Sequence, residues 1–296
     1  MVTINILSFN RKVELKNTLN KIYEQDYEDI EVIVVDNAST DGSPEMIKND
    51  FPEVQLIQLD KNIGIAGWNE GFKIAKGEYI LVLDDDSYPE KDTIVLAVQC
   101  INNNPKIGVL CLPVFNKLFN IYETDHINKN FPLTFIGCGA LISKHLIDEI
   151  GLFNEILFLY EHEIEFSMRV YEAGYEISYC KEALIVHENT VKNRKISNKI
   201  DHRRKFYVSR NYIIIIFLHF SLWDLFSFIP QLVICRLAVS IYERSFLSTL
   251  KGFISSFLLF IPLLKCRSVL SGRVRMLYNY GNYMGRCMKQ WKYSES

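Results

Sequence analysis

Cysteine is sparse and scattered in this chain. The seven residues (Cys100, Cys111, Cys138, Cys180, Cys235, Cys266, Cys287) form no Cys-x-x-Cys pair. An odd, dispersed set argues against a zinc site or a disulfide framework and favours reduced thiols in the cytosol. Long apolar runs are missing too. Asn211–Trp223 is an uncharged run of 13 residues, Leu225–Cys235 one of 11, and Gly252–Leu264 a third. None reaches the roughly 18–20 residues that a spanning helix needs. Drawing a span through Asp224 would place an aspartate in mid-bilayer, at a cost of about 2.5–3.5 kcal/mol. The opening segment Val2–Leu7 lacks a basic flank and is too short for a signal h-region, so no secretion signal is expected. Internal repeats and low-complexity blocks are also missing.

Net charge is nearly absent, at −2, but this average conceals a division. Residues 1–190 carry 15 Lys/Arg against 31 Asp/Glu, a balance of −16, whereas residues 191–296 carry 18 against 4, a balance of +14. An acidic body therefore bears a basic, aromatic-rich tail, and such asymmetry suits contact with an anionic surface.

The body alternates strand-like and helix-like segments. Thr3–Leu7, Glu31–Val35, Val54–Leu59, Tyr79–Leu83 and Gly108–Val114 are apolar or β-branched. Between them, Arg11–Tyr23 places Val13, Leu15, Leu19 and Ile22 at helical spacing, Ser43-Pro44 opens a second helix, Ile63–Lys76 a third, and Pro89 a fourth reaching to about Asn103. This pattern implies an α/β fold with a parallel sheet and right-handed crossovers. Residues Asn116–Pro132 are less periodic and read as loop, and Glu161–Ala173 reads as a helix ending at Gly174.

Chemistry concentrates where these strands end. Asp84-Asp85-Asp86 follows the apolar run Tyr79–Leu83, at the sheet edge where open α/β folds bind ligands. Adjacent carboxylates there are costly unless a cation or proton shares their charge. Asp36 ends the second strand, where it could accept from a base N–H or a ribose hydroxyl; an Asx turn or helix cap accounts for Ser43 and Asp41 but leaves this acid over. The first strand runs into Ser8-Phe9-Asn10-Arg11 and lacks the Gly-x-Gly-x-x-Gly turn of a dinucleotide-binding dehydrogenase.

Several motifs occur in order over roughly residues 1–215. They are Ser8-Phe9-Asn10-Arg11, Val34–Gly42, Asn62-x-Gly64-x-x-Gly67-x-Asn69-x-Gly71, Leu83–Asp86, Gly151–Asn154 with Phe158, His162–Arg169, Ala173-Gly174-Tyr175 and His187. Each is weak alone, but the ordered series resembles the family 2 glycosyltransferases of the GT-A fold. The resemblance implies a mostly parallel central sheet flanked by helices, with a helical extension at the C-terminus. It also implies a nucleoside-diphosphate sugar donor (UDP-, dTDP- or GDP-linked) and a divalent cation, Mg²⁺ or Mn²⁺. Asp86 would be the direct metal ligand, Asp84 would face ribose or sugar, and His187 would approach the metal or the diphosphate. Ser8, Asn10, Asp36, Asn62, Gly67, Asn69 and Asp85 would complete the nucleotide-sugar side. Gly137, Cys138 and Gly139 would floor the sugar pocket, with His162 toward the acceptor. Glu163 falls on the base position, and His162 is a departure, since an acid is usual there. Arg210-Asn211 after Phe206-Tyr207 resembles rhamnosyltransferase-like members.

The domain organisation expected is a catalytic domain over 1–210 and a tail over 211–296. Within the domain, 1–115 would form the nucleotide-sugar half and 116–210 the acceptor half. The short apolar runs with Trp, Tyr and flanking Arg/Lys fit in-plane interfacial helices, with a soluble helical subdomain as the alternative. The reading is an inverting transferase that is cytoplasmic and peripheral on the inner face of the cell membrane. It would add sugar to a lipid-linked or oligosaccharide acceptor in bacterial surface polysaccharide synthesis. A catalytically silent nucleotide-sugar-binding scaffold is the alternative. Aliphatic runs in the tail favour lipid over nucleic acid.

Overall fold

The structure is a computed structural model that describes residues 1–188 and 202–279. Part of the basic stretch Lys192–Arg210, together with Cys287, lies outside the described residues. Two compact units are present. Among described residues, the first comprises 1–155 and 173–188, the second 156–172 and 202–279.

The first unit runs β1 (Val2–Ser8), α1 (Lys12–Ile22), β2 (Ile30–Asp36), α2 (Ser43–Asp50), β3 (Gln55–Gln58), α3 (Gly67–Ile74), β4 (Tyr79–Asp84), β5 (Ser87–Pro89) and α4 (Thr93–Asn102). It continues with β6 (Ile107–Cys111), β7 (Val114–Asn116), β8 (Ile121–Tyr122), β9 (Ala140–Ser143) and α5 (Lys144–Ile150); after α6 (His162–Glu172), which belongs to the second unit, come β10 (Glu176–Tyr179) and β11 (Ile185–His187). A seven-stranded sheet has the order β10-β6-β9-β4-β1-β2-β3. Only β9 runs antiparallel to its neighbours. β1, β2 and β4 are buried nearly throughout, as apolar strands covered on both faces must be.

The chain lays β2 and β3 on one side of β1 and returns to place β4 on the other, which opens a crevice at their carboxyl ends. Register brings Ser8 opposite Asp36 and Leu7 opposite Asp84. Helix α3 lies close on β1 because Gly67 and Gly71 carry no Cβ: one would collide with Leu7, the other with the Asn5 amide.

Two expectations shift at prolines. The strand expected over Gly108–Val114 breaks at Pro113, which has no N–H to continue a ladder; β6 stays in the large sheet while β7 enters a second one, ordered β5-β11-β7-β8. Pro89 ends the short strand β5, paired with β11, and the helix begins at Thr93. A third correction concerns cysteine. Cys100 on α4 is joined to Cys180 after β10, a proximity that sequence spacing does not reveal. The other described cysteines are free.

The second unit holds α6, then α7 (His202–His219), α8 (Leu222–Tyr242), α9 (Phe246–Leu258), α10 (Phe260–Leu263) and α11 (Gly272–Leu277). The expected boundary at 210/211 falls inside α7. From Asn211 to His219 this helix is buried all round, so it is the unit's core helix. Gly252 lets α9 cross it tightly, since a Cβ there would meet the Phe206 carbonyl.

The run Asn211–Trp223 is thus two things: a core helix, and the start of α8 after the Ser221–Asp224 capping box. α8 buries Leu232, Arg236 and Ser240 at four-residue spacing. Its other side leaves Trp223 86% exposed and Phe226 78%, with Ile234 and Ile241 also exposed. Asp224 caps the helix and pairs with Arg275, so it lies at the end of this apolar helix. Consequently α8 is by length and composition long and apolar enough to cross a membrane, although no uninterrupted apolar run in the sequence reaches that length.

Candidate active site

The tips of β1, β2 and β4 carry the first unit's chemistry. Asp36 is 2% exposed; its Oδ2 accepts from the Ser39 N–H at 3.0 Å, while Oδ1 is buried with no hydrogen-bond partner. Ser8, its register neighbour, also has a buried, unpartnered hydroxyl. Two such orphans side by side are costly unless a ligand satisfies them. Asn10, at φ 55°, knits the neighbouring loops: its N–H donates to Ser39 Oγ and its Oδ1 accepts from Thr40 N.

The three consecutive aspartates have separate roles. Asp86 is 4% exposed and accepts from His187 Nε2 at 3.1 Å and from the Arg11 guanidinium. Burial alone would raise its carboxyl, but the hydrogen bond and charge of His187, with Arg11, hold it down to about 2. His187, which burial would lower, is instead held up to about 10 by hydrogen bonds to Asp86 and Glu123. Asp84 is pushed up to about 6 by burial and by the Asp86 charge. Asp85 is raised well above the usual carboxylate range for the same reasons.

Asp84, Cys138 and His187 offer donor atoms within 4.8 Å of one another, and Asp86 adjoins His187. Carboxylate oxygens with one imidazole suit Mg²⁺ or Mn²⁺, so Asp84, Asp86 and His187 fit the cation that the motifs imply; the soft Cys138 thiol adds little for such an ion.

Several residues expected to line the nucleotide-sugar site also brace the fold. Asp85 accepts from the Phe9 N–H at 3.1 Å through its carboxylate, and its carbonyl accepts from Thr18. Asn69 is fully buried, clasping the Phe153 backbone by donating at 2.9 Å and accepting at 3.0 Å. Gly67 serves the α3–β1 approach, and Gly139 packs where a Cβ would strike Val114. Asn62 caps its own turn at Gly64 N. Gly137 and Cys138 are buried beside these elements.

Two site residues escaped the motif reading. Arg11 was visible inside Ser8–Arg11 without a role. Glu123, in the aperiodic stretch, gave no signal at all.

In the second unit, the turn before α6 is unusual. Phe158, Tyr160 and Glu161 all have positive φ, a strain that persists only where surroundings impose it. Asn211 supplies that restraint, its amide donating to the carbonyls of Leu157, Leu159 and Tyr160 at 2.7–2.9 Å. Of the acids that follow, Glu165 is committed to Arg169 at 2.9 Å and His219 at 2.9 Å. Burial would raise it, but the Arg169 charge and the hydrogen bond to His219 hold it down to about 2. Glu161 is pushed up to about 7 by burial and by Glu163. Glu163 stays partly exposed, 3.2 Å from His162 Nδ1. Burial drives His162 down to about 3, so it is a neutral imidazole at physiological pH.

Comparison with known proteins follows the same lines. The model of glycosyl transferase family 2 matches residues 3–153, and that of glycosyl transferase family group 2 matches residues 79–270. An uncharacterized glycosyltransferase of Bacillus subtilis strain 168, YwdF, is 29% identical over 169 residues, covering 52% of this chain and 62% of its own. The poly-beta-1,6-N-acetyl-D-glucosamine synthase of Staphylococcus epidermidis is 23% identical over 203 residues, covering 62% and 48%. The chain spans less than two thirds of either relative's length. Among solved structures, the mannosyltransferase PcManGT of Pyrobaculum calidifontis, in complex with GDP-Man and Mn²⁺, superposes with a TM-score of 0.59 at 17% identity, covering 100% of this chain and 88% of that one. At that identity the likeness establishes the fold. With the family model matching half the chain, this protein belongs to glycosyl transferase family 2 and has the GT-A fold.

Proposed function

We propose that the protein is an inverting, metal-dependent glycosyltransferase that moves a hexosyl or deoxyhexosyl group from a nucleoside-diphosphate sugar to a saccharide acceptor. The observation that carries the donor side is the pair of unpartnered buried atoms, Asp36 Oδ1 and Ser8 Oγ, beside the Asp84–Asp86 acids. They suit the hydroxyls and N–H groups of a nucleoside. Asp84, Asp86 and His187 would hold Mg²⁺ or Mn²⁺, which when bound offsets negative charge on the departing diphosphate. Arg11, now on Asp86, supplies a second positive charge to the same region.

In the transfer, the acceptor hydroxyl oxygen forms a bond to the anomeric carbon as the bond from that carbon to the diphosphate oxygen breaks. Glu163 takes the hydroxyl proton and the nucleoside diphosphate leaves. The choice of Glu163 rests on its motif position and on the commitment of Glu165 to Arg169 and His219.

The acceptor in this reading is a lipid-linked saccharide of surface polysaccharide synthesis. A relative named as a polysaccharide synthase supports this, as does the +14 balance of residues 191–296, which suits anionic headgroups or a pyrophosphate linker. The exposed apolar side of α8, including Trp223 and Phe226, favours seating at the inner membrane interface. Incubating the full chain with membranes and labelled nucleotide sugars tests the reading. Label should enter the lipid fraction with wild type, while Glu163→Gln reduces incorporation at least about 100-fold. Equal incorporation by Glu163→Gln would move the base elsewhere.

A further inference from the structure

We infer that Glu123 is a positioning residue for the cation site, acting through His187; this rests on the metal-dependent reading of Asp84, Asp86 and His187. His187 ends β11 and is 8% exposed. Its Nε2 lies 3.1 Å from Asp86 Oδ1, and its Nδ1 lies 2.9 Å from Glu123 Oε1. The imidazole is thus held at both nitrogens by carboxylates from two different elements. Glu123 is itself fixed, because its Oε1 also accepts from the buried Asn116 amide at 2.5 Å. Asn116 in turn is the register partner of His187 across the β11–β7 pair. The chain Asn116–Glu123–His187–Asp86 is therefore built on one small sheet and the turn beside it.

A carboxylate on the distal nitrogen of an imidazole fixes its tautomer and ring plane. Nδ1–H donates to Glu123 and Nε2–H to Asp86; a bound cation would take the place of the Nε2 proton, leaving that lone pair to the ion while Glu123 keeps Nδ1–H. Such a partner also makes the ligating nitrogen more basic, and its loss typically weakens metal binding about 10- to 100-fold. No sequence motif marks Glu123, since its stretch shows neither period nor spacing. The closing of the β7–β8 hairpin alone brings it to His187.

The test is Mn²⁺ binding to the full chain, followed by electron paramagnetic resonance of the free ion, with no nucleotide or acceptor needed. Affinity should fall in the order wild type, Glu123→Gln, Glu123→Ala. The alanine variant should lose about 10-fold or more, and the glutamine less, because its amide oxygen still accepts from Nδ1 without the charge. Should the alanine variant fail to fold, the glutamine variant carries the test. His187→Ala and the double variant complete a cycle. A residue acting through His187 leaves the double variant no weaker than His187→Ala alone. Losses that add, or Glu123→Ala binding Mn²⁺ within twofold of wild type, would overturn the inference. Failure of wild type itself to bind Mn²⁺ would instead remove the metal-site reading on which it rests.

Discussion

Replacing Asp86 by Asn should destabilise the protein before any ligand is considered. The side chain is 3% exposed and holds both His187 and Arg11. Its carboxyl drops from 3.8 to about 2 on folding, a figure that already includes the opposing effect of burial. At about 1.4 kcal/mol per pH unit, the charged form contributes about 2–3 kcal/mol. His187 moves further, from 6.5 to about 10, because Glu123 shares in holding it. The sign follows from both shifts. The lowered Asp86 gives stability above about pH 4 that is lost as pH falls through 2. The raised His187 gives stability below 6.5 that is lost as pH rises through 10. Urea unfolding at pH 6 in chelating buffer should therefore show Asp86→Asn less stable by about 2–3 kcal/mol, with the gap narrowing toward pH 10. A gap under about 0.5 kcal/mol at pH 6 would refute the ion-pair account.

Three further outcomes are expected. Asn69→Ala removes both bonds to the Phe153 backbone in a fully buried place and should cost about 2–4 kcal/mol in unfolding experiments while leaving nucleotide affinity, where the protein stays folded, unchanged; a selective loss of nucleotide binding would make Asn69 a nucleotide contact, as the motif implies. Asp36→Ala should weaken nucleotide binding about tenfold or more in calorimetry with little change in thermal midpoint, because one of its carboxylate oxygens has no partner to lose. Trp223→Ser with Phe226→Ser should reduce co-sedimentation with anionic liposomes several-fold without altering stability, both being exposed; undiminished binding would remove α8 from the membrane contact.

Much of the first unit was legible because strand and helix periods are local properties. The Tyr79–Leu83 run, the Leu15, Leu19 and Ile22 spacing, and the acids at the strand tips all declare themselves over a few residues. The glycines and asparagines of the Asn62–Gly71 stretch were legible as a motif but not as to purpose. The motif implies ligand contacts for Gly67 and Asn69, and the structure adds the packing against Leu7 and the clasp on Phe153 that the letters do not reveal. The run of aspartates is similar, since three equal letters conceal that one accepts from the Phe9 amide. Glu123 and the Cys100–Cys180 pair were invisible because each depends on contact between segments 64 or more residues apart. In the tail, counting uninterrupted apolar residues missed α8. A helix can turn Arg236 inward and keep Asp224 as its cap, and a run-length count sees neither.

Calorimetry with UDP, dTDP and GDP, each with and without Mn²⁺, on wild type and Asp86→Ala, addresses the central claim most directly. The account predicts that one nucleotide binds wild type in a Mn²⁺-dependent manner and that Asp86→Ala abolishes the dependence. Binding of none of the three, or undiminished metal-dependent binding by Asp86→Ala, would contradict it.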